Sequence, residues 1–287
     1  MSQDTSTTVT RFAPSPSGYL HLGHAYSALY AEKAARESGG RFLLRIEDID
    51  RGRCRPEFET AIYEDLAWLG LSWEEPVRRQ SDHMDEYRVT ASALEARGLL
   101  YPCFCTRKEI LAEVEAAGHA PHGPDGPLYP GTCRKLSADE RLARKTAGDA
   151  FALRLDVNRA LAETGPLSWT EISEGEIAAD PALFGDVVLA RKDVPTSYHL
   201  SVTMDDALQG VTLVTRGVDL KPATHVHRLL QALLGLPTPR YDHHGLLTDE
   251  LGRRYAKRDK AATLRALREA GRTPEEVRAL AHDGAPT

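Results

Sequence analysis

The 287-residue sequence has no run of about 18 consecutive apolar residues, so nothing in it reads as a membrane-spanning helix. Its first ten residues, Met1 to Thr10, are polar and lack the apolar core of a secretion signal. They read as a frayed tail on a cytoplasmic protein. Only four cysteines are present, and without a secretion signal they point to metal binding or to no special role, not to disulfides. No internal repeat is evident. A positive net charge is also missing: the formal charge is −6, which does not advertise a nucleic-acid binder. Distribution matters more than the total, because binding RNA needs only one basic face. Residues 251–272 hold eight basic side chains against Asp259 and Glu269, although a solvated helix face has the same composition.

The remaining composition, 41% hydrophobic and 27% charged, is that of an ordinary globular chain long enough for two domains. Strand and helix signals alternate through the first hundred residues, the pattern of a parallel sheet with covering helices. A strand is expected near Val9–Ala13, and the helix after Gly23 runs to Gly39-Gly40. Arg41–Ile46 is a second strand. Pro56 opens a helix on which Phe58, Ile62, Leu66 and Leu69 recur at helical spacing. Another helix near Asp85–Arg97 ends at Gly98. Residues 118–131 are too rich in Gly and Pro for either element and need an external staple to be ordered. Residues 137–147 look helical and Phe151–Val157 looks like a strand.

The alternation resumes with Asp186–Leu189, then Tyr198–Met204, then Val211–Val214. Thr224–Leu234 is a helix stopped by Gly235, and two short amphipathic helices follow Lys260. The expected fold class is therefore α/β, a Rossmann-type nucleotide-binding parallel sheet with an inserted, zinc-stapled subdomain. Residues 1–100 and 186–245 form the two halves of the nucleotide-binding domain, 101–185 the insertion, and 246–287 a loop with short helices.

Four strings carry chemistry. His21-Leu22-Gly23-His24 follows the turn Pro14-Ser15-Pro16-Ser17-Gly18 and opens a helix. Backbone N–H groups at a helix start are unpaired and suit a phosphate, and Gly23 lets a flat base lie against the backbone. A lone histidine is usually a satisfied polar residue, but two bracketing Leu-Gly after such a turn suit donation to ATP phosphates. Arg45-Ile46-Glu47-Asp48-Ile49-Asp50 ends the second strand, where ligands bind in open parallel sheets. Its three carboxylates fit an ammonium group, a metal or a ribose, and equally a solvated turn. Cys103, Cys105 and Cys133 suit a structural zinc whose fourth ligand is Tyr129, His119 or His122. Cys54 stands alone and is incidental. Finally, Arg254-Tyr255-Ala256-Lys257-Arg258 is a basic loop that gains weight from the upstream string: Lys257 could close over a triphosphate.

Together these strings resemble the class I aminoacyl-tRNA synthetases, whose two nucleotide motifs are called HIGH and KMSKS. Arg11-Phe12-Ala13-Pro14-Ser15-Pro16-Ser17-Gly18, Arg45-Ile46-Glu47-Asp48 and Arg216-Gly217-Val218-Asp219-Leu220 are similar to motifs of the glutamyl branch. The likeness runs from about residue 9 to 261, with several motifs in the right order. Only about 25 residues follow the end of that likeness, where glutamyl-tRNA synthetases continue into an anticodon-binding region. With Cys-x-Cys and Tyr129–Arg134, this shape resembles the short glutamyl-queuosine tRNA(Asp) synthetase family. The resemblance implies tRNA-independent activation of glutamate by ATP and its transfer to the queuosine base in the anticodon loop of tRNA(Asp). Mg²⁺ is expected to accompany the triphosphate, and the chain is expected to be a monomer.

It also implies a zinc held by Cys103, Cys105, Tyr129 and Cys133. Arg11, Phe12, Ala13, Pro14 and Ser15 would line the glutamate pocket, Glu47 would meet the ammonium group, and Tyr198 and Arg216 would complete it. His21, Gly23, His24 and Lys257 would bind ATP, with His21, His24 and Lys257 catalytic. Arg254 and Ala256 depart from the family's Lys and Ser. Losing one hydroxyl contact costs on the order of 1–3 kcal/mol, which slows an enzyme without silencing it. A truncated glutamyl-tRNA synthetase charging tRNA(Glu), a small-molecule nucleotidyltransferase and a silent tRNA-binding paralogue are the competing readings.

Overall fold

Leu22, Ala25, Ala28, Ala31 and Ala35 fall on one face of the first helix, and all are buried. Small side chains at that spacing let the helix lie close against a sheet. The structure, a computed structural model, describes residues 7–116, 122–124, 126–247 and 263–283. Its first half runs β1 (Val9–Phe12), α1 (Leu22–Glu37), β2 (Arg41–Ile46), α2 (Pro56–Trp68), β3 (Glu74–Arg79), α3 (Met84–Ala96) and β4 (Leu100–Cys103). Then come α4 (Arg107–Ala116), the two-residue strands β5 (His122–Gly123) and β6 (Gly126–Pro127), α5 (Ala138–Thr146), β7 (Ala152–Leu155), α6 (Val157–Thr164), β8 (Ser168–Glu171) and β9 (Gly175–Ala178). The remainder is β10 (Val188–Ala190), α7 (Tyr198–Leu208), β11 (Leu213–Gly217), α8 (Ala223–Leu234), β12 (Arg240–His244), α9 (Leu264–Glu269) and α10 (Pro274–Asp283).

The sheet that positions the site is parallel. β2 pairs with β1 and β3, and β12 pairs with β11 and β8, while β9 adds an antiparallel edge. The two groups meet where Thr212 N donates to Val9 O at 3.0 Å and Val9 N donates to Thr212 Oγ1 at 2.9 Å. The spatial order is thus β3-β2-β1-β11-β12-β8-β9, and it reverses direction between β1 and β11. In open parallel sheets a crevice forms at that reversal, outside the carboxyl ends of the strands. Gly40 shows how tightly the layers close: an added Cβ would lie 2.0 Å from Thr8 O.

The expected α/β class with a parallel sheet is what the chain forms. The helices expected after Gly23, at Pro56, near Asp85–Arg97, at 137–147 and at Thr224–Leu234 are α1, α2, α3, α5 and α8. Tyr198–Met204 lies inside α7. Val188–Ala190, however, pairs antiparallel with β7, which also pairs antiparallel with β4. Parallel pairing resumes one strand later, at β11. Strands β3, β8, β9 and β12 were not legible: they carry Glu, Pro, Gly, Arg and His in place of alternating β-branched residues. Among the described residues, no helix is long and apolar enough to cross a membrane.

Candidate active site

The crevice between β1 and β11 contains a cavity of about 160 Å³, lined by Arg11, Phe12, Ala13, Glu47, Tyr198 and Arg216, with Ser27, Val202, Thr215, Gly217 and Leu220. Six of the eight residues expected in an amino-acid pocket therefore meet at one wall. Pro14 and Ser15 continue from it without lining it; the Pro14 carbonyl accepts from Glu47 N at 3.0 Å, tying the ends of β1 and β2 together.

The two arginines are not equivalent. Arg11 Nε and Nη2 reach the Asp206 carboxylate at 2.9 and 3.2 Å, and Nη1 donates to Thr215 O at 3.1 Å. Three of its five N–H groups thus serve the fold, and its charge is paired with a carboxylate. Arg216, 6% exposed, has only neutral partners among the described residues. Nε donates to His243 Nε2 (3.1 Å), Nη1 to Tyr198 Oη (3.3 Å) and His227 Nδ1 (3.2 Å), and Nη2 to Thr224 Oγ1 (2.8 Å). Burial lowers the His199 and His243 imidazoles to about 4, and Arg216 adds to the effect; His227 is lowered well below its ordinary value for the same reasons. At neutral pH the guanidinium therefore sits in a buried cage of uncharged groups. No carboxylate among the described residues touches this buried cation, Glu171 lying beyond the His243 ring, so the cavity favours an anionic ligand beside it.

Beneath the cavity lies a charged network that sequence reading did not find. Asp206, on α7, also accepts from Arg45 Nη1 at 2.8 Å, and Arg45, fully buried, donates to Glu47 Oε1 at 3.0 Å. Burial alone would raise the Asp206 carboxyl, but Arg11 and Arg45 hold it below its ordinary value. Burial raises Glu47 in spite of Arg45. Asp205 next to it takes hydrogen bonds from Arg78, Gln80 and Tyr87. The available signal was Asp205-Asp206 inside a helix otherwise without acidic or basic residues apart from His199, a placement that requires partners.

The three-carboxylate cluster expected at the end of β2 is dispersed. Only Glu47 reaches the cavity. Asp48 accepts from Ser81 N and Oγ at 2.8 and 2.6 Å, and Asp50 pairs with Arg53 at 2.7 Å. Each carboxylate followed the nearest donor, which a list of adjacent residues cannot reveal.

His21 is the N-cap of α1. Its Nδ1 accepts from Gly23 N at 3.1 Å, while His24 Nδ1 accepts from His21 N at 3.2 Å, a reciprocal cap built from two imidazoles. With Nδ1 used as acceptor in both, each neutral ring carries its proton on Nε2. A Cβ on Gly23 would come within 3.1 Å of His21 Cε1, so glycine keeps the cap uncrowded. Lys257, Arg254 and Ala256 lie outside the described residues. The chain on either side is held beside the cap: Leu247 and Leu264 are buried in the same cluster as Leu20 and Leu22, and Thr263 bridges His21. Of the basic segment, Arg265, Arg268 and Arg272 pair with Glu269, Glu64 and Glu276.

Cys103, Cys105 and Cys133 place their Sγ atoms within 4.8 Å of one another. Cys105 Sγ lies 3.4 Å from Cys133 Sγ and 3.6 Å from Tyr129 Oη. Tetrahedral zinc with Zn–S near 2.3 Å needs sulfurs about 3.8 Å apart, so the donors fit a dication of that kind. Burial pushes the Cys105 thiol up to about 12, a penalty that a bound cation would reverse. Of the other two ligand candidates, His119 and the side chain of His122 lie outside the described residues.

Residues 7–283 match the family model of tRNA synthetases class I (E and Q), catalytic domain. The glutamyl-Q tRNA(Asp) synthetase of Rhodobacter capsulatus is 50% identical over 279 residues, covering 95% of this chain and 99% of that protein. The glutamate–tRNA ligase of Aquifex aeolicus is 40% identical over 270 residues, covering 93% of this chain but 55% of its own. A crystal structure of the glutamate tRNA ligase from Elizabethkingia meningosepticum, in complex with its amino acid, superposes with a TM-score of 0.74 at 29% identity, covering 88% of this chain and 52% of that one. The chain thus spans about half the length of these ligases and nearly all of the Rhodobacter protein. A parallel sheet with its crevice at the strand reversal, a histidine-capped helix beside it and these matches agree: the chain belongs to the class I tRNA synthetases for glutamate and glutamine, among the glutamyl-Q tRNA(Asp) synthetases.

Proposed function

We propose that the chain activates glutamate with ATP in the absence of tRNA and transfers it to the queuosine base of tRNA(Asp). The observation that carries the amino-acid preference is the Arg216 guanidinium, buried among neutral partners on the cavity wall. A side-chain carboxylate supplies the missing negative charge, and Arg216 suits it because its planar fork bonds carboxylate oxygens. Arg11, its charge paired with Asp206, lines the same cavity with two further N–H groups. Glu47, half-buried at the same cavity, meets the substrate's ammonium group. The acceptor assignment follows the Rhodobacter relative, which the chain matches over 99% of that protein's length.

In the reaction, the glutamate α-carboxylate attacks the ATP α-phosphorus in line, pyrophosphate leaves, and a mixed anhydride remains. A hydroxyl of the modified nucleoside then attacks the activated carbonyl, losing its proton as AMP departs. No protein nucleophile takes part. His21 and His24 present Nε2–H groups to phosphate oxygens at the start of α1, Gly23 leaves room for the base, and Lys257 adds positive charge as the triphosphate reacts. Magnesium arrives with the nucleotide.

We further assign a structural zinc to Cys103, Cys105, Cys133 and Tyr129, in an inserted subdomain at 101–185. When bound, it would cross-link the start of this segment to its Gly/Pro-rich loop. The sulfur spacing supports that reading.

ATP–pyrophosphate exchange with glutamate, aspartate and glutamine, without tRNA, tests the first step. Transfer to queuosine-containing tRNA(Asp), unmodified tRNA(Asp) and tRNA(Glu) tests the second. Exchange with glutamate and transfer only to the queuosine-containing tRNA are expected. Charging of tRNA(Glu) would make the chain a short glutamyl-tRNA synthetase, and no exchange with any amino acid would make it a silent paralogue.

A further inference from the structure

We infer that Glu171 and His243 form a positioning pair that orients the Arg216 guanidinium and so sets the affinity for the substrate's side-chain carboxylate; this rests on the glutamate reading above. Neither residue lines the cavity. Glu171 ends β8 and His243 lies near the end of the neighbouring strand β12, whose Tyr241 is in register with Glu171. Both side chains are 1% exposed.

The Glu171 carboxylate is used twice. Oε1 accepts from His243 N at 2.9 Å, and Oε2 lies 2.7 Å from His243 Nδ1. A carboxylate at that distance fixes the proton on Nδ1, which leaves the lone pair of Nε2 facing Arg216 Nε at 3.1 Å. The opposite tautomer would aim one N–H at another. Across the guanidinium, His227 plays the matching part. Its Nδ1 accepts from Arg216 Nη1, so Nε2 carries the proton and donates to His199 Nδ1 at 3.2 Å. Two imidazole acceptors thus grip the guanidinium from its Nε and Nη1 sides.

A guanidinium has five N–H bonds. Four go to His243, Tyr198, His227 and Thr224, and no described residue takes the fifth, on Nη2. Tyr198, as acceptor from Arg216, keeps its own proton to give. These two donors belong to residues of the cavity wall and match the two oxygens of a carboxylate. Rotation of the guanidinium about Cδ–Nε would misdirect both, and the contact with His243 opposes that rotation. The pair therefore acts on substrate only through Arg216.

The test measures KM for glutamate and for ATP, with kcat, in the tRNA-free exchange reaction for the wild type, His243→Leu, His243→Gln and Glu171→Gln. His243→Leu should raise the glutamate KM at least about tenfold, the scale of a hydrogen bond lost at a charged group. The ATP KM and kcat should stay within about threefold. His243→Gln offers an amide oxygen to Arg216 and should recover most of the loss. Glu171→Gln fills the same space but cannot accept both N–H groups with a carboxylate's charge, and should raise the glutamate KM about threefold or more; it keeps the test decisive if His243→Leu does not fold. Wild-type exchange together with unchanged glutamate KM in the folded variants overturns the pair alone. Equal shifts in both KM values, or no recovery in His243→Gln, reduce it to a packing role. No exchange by the wild type with any amino acid overturns the glutamate reading itself.

Discussion

Arg216 Nη1 donates to the Tyr198 hydroxyl across 3.3 Å. Because a guanidinium only donates, the phenol oxygen is the acceptor and its own proton is left for a ligand. Tyr198→Phe keeps the ring's packing against His227 and removes that donor. Its KM for glutamate in ATP–pyrophosphate exchange should rise roughly tenfold to hundredfold, since hydrogen bonds to charged groups contribute about 1.5–3 kcal/mol. The ATP KM should not move. An unaltered glutamate KM would place the substrate carboxylate elsewhere.

Asp206 is the joint between α7 and the two central strands, through Arg11 on β1 and Arg45 on β2. Asp206→Ala leaves two buried guanidinium groups without their shared carboxylate. The expected loss is about 3–5 kcal/mol, read from chemical denaturation, with activity falling alongside as the cavity wall loosens.

Acid should destabilise the protein through histidines as well as carboxylates. His199 and His243 are held near 4, below their ordinary 6.5, first by burial and then by Arg216. The unfolded chain binds protons that the fold refuses, so this stability is complete above about pH 6.5 and declines as pH falls towards 4. Each group contributes roughly 1.4 kcal/mol per pH unit within that window. Unfolding free energies measured at pH 7.5 and 5.5 should differ accordingly, and His199→Phe should remove about one proton from the slope. A flat profile over that range would contradict the neutral cage around Arg216.

Purified protein should carry about one zinc per chain by metal analysis. Cys133→Ser should lose it and unfold roughly 5 °C lower, the scale of about 2 kcal/mol in a domain of this size. Freshly purified wild type without metal would refute the assignment.

Lys257→Ala should cut glutamate-dependent exchange at least about tenfold, the effect of one lost charged contact on a phosphate. Unchanged exchange would remove this segment from the mechanism.

Local chemistry alone determined a good deal. The helix starts at His21-Leu22-Gly23-His24 and Pro56, the stops at Gly39 and Gly235, and the cysteine cluster follow from side-chain types and spacing, because caps, stops and ligand sets act over a few residues. Arg11, Glu47, Tyr198 and Arg216 were nameable only through the family resemblance of the motifs that hold them. What each does depended on neighbours from 2 to 204 positions away. Only folding showed that Arg11 pairs with Asp206, that Asp48 and Asp50 turn from the cavity, and that His227 and His243 enclose Arg216. Which buried charge meets which is set by strand order and helix docking, and a buried charge must find its partner in space, whatever its distance along the chain.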